Sequence, residues 1–280
     1  MAWILLALVI ALVAYLYIQN YLIEVTHYTI TIPALDKRLK GKKLVHLTDL
    51  HFKPRTNKSY VETIIEKTKE ADPDYIMLTG DLVQGGLQTL ADTPLRRFAE
   101  LCTAIAPTFA ITGNHDIQSG TLNEFQSILS ASRVKLLVDE AVTLSVDDEE
   151  LLVVMGLAER QNQTNLPQPI LKPVELTSKM EKLPKILLAH RPEYFEHYTF
   201  DKTKSPALTL SGHTHAGQVR LPFIGGLFAP GQGMLPEFDY GVFNSEEDRS
   251  KRMLISRGLG NSSFPLRINN RPQIVVVTLN

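Results

Sequence analysis

Hydrophobic and polar positions divide the chain into two textures. Residues 1–18 are apolar or weakly polar throughout, and Gln19 and Asn20 are followed by Tyr21, Leu22 and Ile23, so the first 23 residues carry no charged side chain. Beyond them, short β-rich runs alternate with helical ones. The segments 43–48 (KLVHLT), 75–79 (YIMLT), 108–112 (TFAIT), 185–189 (KILLA) and 207–210 (ALTL) read as buried strands. Strand-like patterns also cover 140–146, 151–157, 218–221, 252–257 and 274–279. Helical spacing predicts helices over 59–71, 94–105, 122–131 and 174–182, with Pro94 at a helix start that tolerates proline. Such alternation predicts an α/β protein with sheet at its centre. Residues 158–184 read as a polar, proline-containing excursion. Residues 223–243 are broken by glycine and proline yet rich in Phe, Leu, Ile and Met, so this loop either packs over the core or meets an apolar ligand or bilayer.

The first 23 residues are long enough, at about 1.5 Å per residue, to cross a bilayer core of about 30 Å. No Lys or Arg precedes the apolar run and no small-residue cleavage site follows it, which favours a retained anchor over a cleaved signal peptide. A buried soluble helix would keep a polar face. Lys37, Arg38, Lys40, Lys42 and Lys43 follow within about twenty residues, which by the positive-inside tendency puts the main domain in the cytoplasm. This cluster is either a headgroup contact or a solvated surface. The expected organisation is an inner-membrane anchor over 1–23, a juxtamembrane strand and basic linker over 24–42, and one main domain over 43–280.

Composition narrows the function. With 29 Lys and Arg against 30 Asp and Glu, the chain lacks the basic excess that would hold a nucleic acid. The one cysteine, Cys102, excludes an intrachain disulfide and lies in an apolar helical pattern as a core residue.

Chemistry concentrates in five short clusters where strands run out into loops: Asp49-Leu-His51, Gly80-Asp81, Gly113-Asn114-His115-Asp116, His190, and Gly212-His213-Thr214-His215. In open α/β sheets, ligands bind beyond the carboxyl ends of strands. Carboxylate, amide oxygen and imidazole together suit Mn, Fe, Zn or Co, with no thiolate to select a soft ion. Residues i and i+2 of an extended segment point the same way, so Asp49 can converge with His51, and His213 with His215. His27, His46 and His197 fall in ordinary strand or helix patterns and read as packing or surface residues.

The ordered series D-x-H, GD, GNHD, H and GHTH resembles the calcineurin-like metallophosphoesterase superfamily. The likeness is nearest to its small bacterial membrane-associated members, through LTDLH at 47–51, SGHTHAGQV at 211–219 and ISRGLGNSSFP at 255–265. The resemblance implies a four-layer α/β/β/α sandwich. It assigns Asp49, His51 and His215 to one metal ion, Asn114, His190 and His213 to a second, and Asp81 to both. His115 resembles the family's catalytic histidine, which holds no metal. Ala216 stands where many relatives have glycine.

Two cations about 3.5–4 Å apart would withdraw charge from a phosphoryl group and activate a water, and Mn is the expected metal. The anchor and the apolar loop suggest an amphiphilic phosphodiester or pyrophosphate as substrate and membrane lipids as neighbours. Within the resembled family, one such reaction is cleavage of UDP-2,3-diacylglucosamine in lipid A assembly. The alternatives are a general phospholipid or nucleotide phosphodiesterase, and a non-catalytic metal-binding scaffold.

Overall fold

A computed structural model describes residues 1–161, 163, 166–261 and 264–280. Two six-stranded sheets lie face to face. The first is ordered β1 (Glu24–Ile30), β16 (Gln273–Leu279), β2 (Lys43–Leu47), β3 (Tyr75–Thr79), β4 (Thr108–Ile111), β5 (Lys135–Leu136). The second is ordered β14 (Gly241–Asn244), β15 (Arg252–Ile255), β9 (Leu208–Ser211), β8 (Lys185–Leu188), β7 (Glu149–Gly156), β6 (Glu140–Val146). Period-two alternation builds the layers. In β7, Leu152 and Val154 face the other sheet while Val153 and Met155 face outward; in β16, Val275 and Val277 face inward while Ile274 and Val276 meet helices. Burying a side chain of this size is worth about 1.5–3 kcal/mol, so a one-residue slip in either strand would exchange its two buried faces.

Helices α2 (Lys58–Glu70), α3 (Leu95–Ile105) and α5 (Leu122–Ala131) cover the outside of the first sheet. Each forms because its apolar residues share one face: Leu95, Phe98, Ala99 and Cys102 in α3 recur at helical spacing and are buried. In α2, Asn57 accepts from the Ser59 amide and caps the first turn. The layer outside the second sheet is thin. The short α6 (Phe195–Thr199) contributes Tyr198, and the 158–184 excursion packs Ile170, Leu171 and Val174. The helix expected over 174–182 does not form; only the 3-10 turn Met180–Lys182 is present. Thr177 side-chain and backbone oxygens accept from the Met180 and Glu181 amides, and Pro184 follows, leaving room for one turn.

The apolar N-terminus is a single helix, α1 (Ala2–Tyr21), of which only Asn20 is buried. It leads into β1, which pairs parallel with β16 from Glu24↔Gln273 to Ile30↔Leu279. Because β16 is antiparallel to β2, both β1 and β16 begin at the end of the sheet where β2, β3 and β4 finish. The basic cluster lies beyond the far end of β1, seven residues away, or about 23 Å at 3.3 Å per residue. Arg38 pairs there with Asp36 and Glu149, Lys42 with Asp74 and Lys43 with Asp72. The headgroup reading of this cluster therefore gives way to the solvated surface, since these cations sit at the end of the sheet opposite α1.

Residues 220–243 also resolve into two parts. The hairpins β10 (Arg220–Leu221)/β11 (Gly225–Gly226) and β12 (Phe228–Ala229)/β13 (Gly233–Met234) leave Phe223, Ile224, Phe228, Met234 and Leu235 exposed. Phe238 and Phe243 instead pack on Phe195, Met253 and Ile255.

Candidate dinuclear metal centre

All five sequence clusters come together at one end of the sandwich. Asp49 and His51 follow β2, Asp81 follows β3, His190 follows β8, and His213 and His215 follow β9. Asn114 and His115 follow β4 and open the short helix α4 (Asn114–Gln118). Backbone bonds lock these loops in register: Asp49 N–H donates to Gly80 O, His51 N–H to Asp81 O, and Gly212 N–H to His190 O. Gly80 adopts φ +91°, and a Cβ there would lie 2.6 Å from Gly113 N and 2.8 Å from His190 Nδ1. Any side chain would force these strand ends apart.

The donor atoms form two adjoining groups. Asp49 Oδ1 is 3.6 Å from His215 Nε2, which is 3.0 Å from His51 Nε2. His190 Nε2 is 3.2 Å from His213 Nδ1. Asp81 Oδ2 lies between the groups, 3.8 Å from His51 Nε2 and 3.3 Å from His190 Nε2. Asp81 Oδ1 accepts from the His115 amide at 2.7 Å, and Asp49 accepts from the His213 amide, so backbone dipoles orient both carboxylates. Asn114 Oδ1 is buried beside them without a hydrogen-bond partner, a cost of about 1–3 kcal/mol unless something binds it. Ring nitrogens facing one another at 3.0–3.2 Å, an orphaned amide oxygen and a shared carboxylate fit a dinuclear divalent metal site.

Electrostatics agree. Burial holds His51 down to about 3 and keeps His213 and His215 well below the usual histidine range, so these rings are neutral and able to ligate. His190 is the exception. Burial lowers it, but the Asp81 carboxylate outweighs that and raises it to about 10. The reciprocal effect holds Asp81 below the usual carboxylate range against the upward push of its own burial. His190 Nδ1 donates to Thr79 O at 2.8 Å, which aims Nε2 at the shared carboxylate.

The backbone here is strained. Asp49, His51, Asp81, His213 and His215 all have φ between +47° and +71°, each costing about 1–2 kcal/mol outside glycine. Ala216 continues the run at φ +52°, in the region that glycine occupies without strain. Strain of this kind persists where surrounding contacts over-determine it. Asn270 supplies two of them, donating from Nδ2 to His215 O and Gln218 O.

His115 is half-buried, edge-on to His51 with ring centroids 4.6 Å apart. Its Nδ1 accepts from the Gly85 amide and Gln84 Nε2, both at 3.2 Å, which puts the single proton of the neutral ring on Nε2. Burial lowers its pKa and favours that neutral form. The remaining histidines match the sequence reading: His46 is buried against Thr79 and kept neutral, and His27 and His197 are surface residues. Cys102 is buried, its thiol pushed up by burial.

Three participants were not singled out in the sequence, and a fourth, Asp116, was named in its cluster but given no role. Asp116 accepts from the Gly113 and Val83 amides and fixes the GNHD loop. Arg191 touches His213 Nε2 at 3.1 Å while paired with Glu159 and Glu193. Arg267 Nη2 lies 3.3 Å from His215 Nδ1, and Asn270 holds the turn below it. Asp116 and Arg191 adjoin motif residues, a usable signal. Arg267 and Asn270 lie more than fifty residues beyond His215, with no motif linking them to it.

These features define the class. A profile described as calcineurin-like phosphoesterase matches residues 42–217, and the chain belongs to that family as a metal-dependent phosphoester hydrolase. It is 29% identical to an uncharacterized metallophosphoesterase, YkuE, of Bacillus subtilis, over 94% of this chain and 87% of that one. It is 28% identical to the phosphodiesterase YaeI of Escherichia coli, over 85% of this chain and 82% of the relative. Among solved structures, TT1561 of Thermus thermophilus superimposes with a TM-score of 0.51 at 12% identity, over 78% of this chain and 90% of that one, which shows a shared fold.

Proposed function

We propose that the protein is a two-metal phosphodiesterase that works at a bilayer surface on an amphiphilic phosphodiester or pyrophosphate. Asp49, His51 and His215 would hold one ion, Asn114, His190 and His213 the other, and Asp81 both, with Mn²⁺ the preferred metal. Two such ions draw charge from the phosphoryl oxygens and make an attacking water more acidic. His115 donates a hydrogen bond from Nε2 to the leaving oxygen and stabilises the charge developing there, a role supported by its neutral tautomer and by its place against His51.

The observation that carries the bilayer reading is that anchor and cluster share one end of the sandwich. The exposed hairpins wrap that end. Gly217 lies against Gly226, where a Cβ would sit 2.4 Å from Gly226 Cα, while a Cβ on Gly231 would meet Glu193, the partner of Arg191. Phe223, Phe228 and Leu235 are exposed on or beside these hairpins, where they would meet a lipid brought to the site. The division into an anchor over 1–23, a connecting segment over 24–42 and a hydrolase domain over 43–280, retained in a bacterial inner membrane with the domain in the cytoplasm, belongs to the same reading. Among amphiphiles, UDP-2,3-diacylglucosamine is one case for direct assay; the comparisons support a phosphodiesterase and do not support that particular nucleotide-linked lipid. The test compares a small water-soluble aryl diester with a phosphodiester lipid presented in vesicles. Changing Phe223, Phe228 and Leu235 to Ser should lower the vesicle rate tenfold or more and leave the soluble rate within twofold. Equal losses on both substrates would contradict an apolar rim that receives lipid.

A further inference from the structure

The last turn of α1 does more than lead into the sheet. Two consecutive polar residues close the apolar run, and between them they reach Asn261, Arg267 and Asn270. Asn20 Oδ1 accepts from the Arg267 amide and from Asn261 Nδ2, each at 3.0 Å. Gln19 Oε1 accepts from the Asn270 amide at 2.7 Å. From these residues two short routes lead to His215. Arg267 is fully buried; its Nη2 donates to Gly260 O and lies 3.3 Å from the Nδ1 side of the imidazole, while Nε donates to Asn261 Oδ1 and Nη1 to Arg257 O. Asn270 holds the His215 and Gln218 carbonyls, at the two ends of the left-handed turn.

Arg267 has no carboxylate hydrogen-bond partner among the described residues. Burying a charge without a counter-charge is costly unless every donor is placed, so the carbonyls and amide oxygen around it must be held in position. Asn20 fixes both the backbone of Arg267 and the side chain of Asn261, which receives the Arg267 Nε–H. The polar end of the anchor is therefore one contact removed from the groups that orient a metal-site histidine.

We propose that Gln19 and Asn20 are positioning residues of the metal centre: the anchor sets Asn261, Arg267 and Asn270, which hold the backbone turn that carries His215, so ion affinity at the Asp49–His51–His215 group depends on the membrane helix. This rests on the two-metal reading above. It predicts that removing the anchor alters metal binding although no ligand is lost.

The test titrates Mn²⁺ alone into chelator-treated, full-length protein in detergent, read by electron paramagnetic resonance. Wild type should take up two equivalents; failure to do so would count against the two-metal reading rather than the coupling. The double variant Gln19→Ala/Asn20→Ala should lose about tenfold in affinity for one equivalent and stay within twofold for the other. Arg267→Lys, which keeps the charge and loses the fork, should lose about 10–100-fold at the same equivalent, the usual scale for groups behind a ligand. Trp3→Ala, at the far end of α1, should change neither. Wild-type affinity at both equivalents in the folded double variant would overturn the proposal. So would equal weakening of both equivalents together with a lower unfolding midpoint in chelator, which marks general loosening; the double variant decides the matter if Arg267→Lys does not fold.

Discussion

Replacing His115 by Ala separates holding metal from doing chemistry. His115 is the one motif histidine with two possible roles: its ring lies within ligating range of His51 and Asp81, yet Nδ1 already accepts from Gly85 N–H and Gln84 Nε2. That puts the ring proton on Nε2, the atom from which the proposed hydrogen bond to the leaving oxygen would be donated. The backbone amide of His115, which donates to Asp81 at 2.7 Å, survives any side-chain change, so the shared carboxylate stays oriented. Losing one such hydrogen-bond donor costs about 10²–10³ in rate, or about 2.7–4 kcal/mol of barrier. His115→Ala should therefore keep two metal equivalents by elemental analysis and turn over an aryl phosphodiester at least about 10²-fold more slowly. With an activated p-nitrophenolate leaving group, which needs little protonation, the loss should be smaller than with an alkyl leaving group. Loss of one metal equivalent in this variant would make His115 a ligand and refute its assignment as a donor to the leaving oxygen.

Four further outcomes are expected. In the metal-free protein His190 is raised to about 10 by Asp81, so metal uptake at pH 7.5 must expel its Nε2 proton, and calorimetry in buffers of different ionisation enthalpy should show proton release. The linked sign for stability without metal is that the Asp81–His190 pair contributes fully between the unfolded pKa values of about 3.9 for Asp and about 6.5 for His, and the histidine's contribution is lost as pH rises through about 10; stability that rises over that alkaline window instead would contradict the pairing. Leu208→Ala, between the sheets and fully buried, should lower stability in denaturant titration by about 2–5 kcal/mol, and a cost below 1 kcal/mol would contradict its place in that core. A reporter fused after Asn280 should be active in the cytoplasm, and activity confined to the other side of the membrane would overturn the proposed orientation.

What the sequence made legible was local. The ligand clusters were readable because each sits within a few residues of a strand end, where a period-two run of Val, Ile and Leu stops and a carboxylate or imidazole follows. The helices α2, α3 and α5 were readable because their apolar residues keep helical spacing over three turns. The 174–182 segment shares that spacing, but Thr177 diverts the backbone into a single turn, and side-chain competition of this kind is invisible to periodicity. The basic residues 37–43 read from the sequence as either a headgroup contact or a solvated surface, and pairing of β1 with β16, which carries them to the far end of the sheet from α1, decides between the two. Arg267 and Asn270 show the same limit from the other side. They reach His215 only because β16 begins at the site end of the fold, a relation set by strand order.

The central claim is that two divalent ions, sharing Asp81, do the work. Chelator-treated protein should be inactive on an aryl phosphodiester, and its rate should return as Mn²⁺ is added, reaching its plateau at two equivalents per chain. Asp81→Asn keeps the shape but puts an amide N–H where the shared Oδ2 stood, 3.3 Å from His190 and 3.8 Å from His51. Removing one partner of a buried charge interaction costs about 3–5 kcal/mol, so this variant should bind neither ion at micromolar Mn²⁺ and should stay inactive when metal is added. Full turnover by metal-free protein, or by Asp81→Asn without bound metal, would contradict the account.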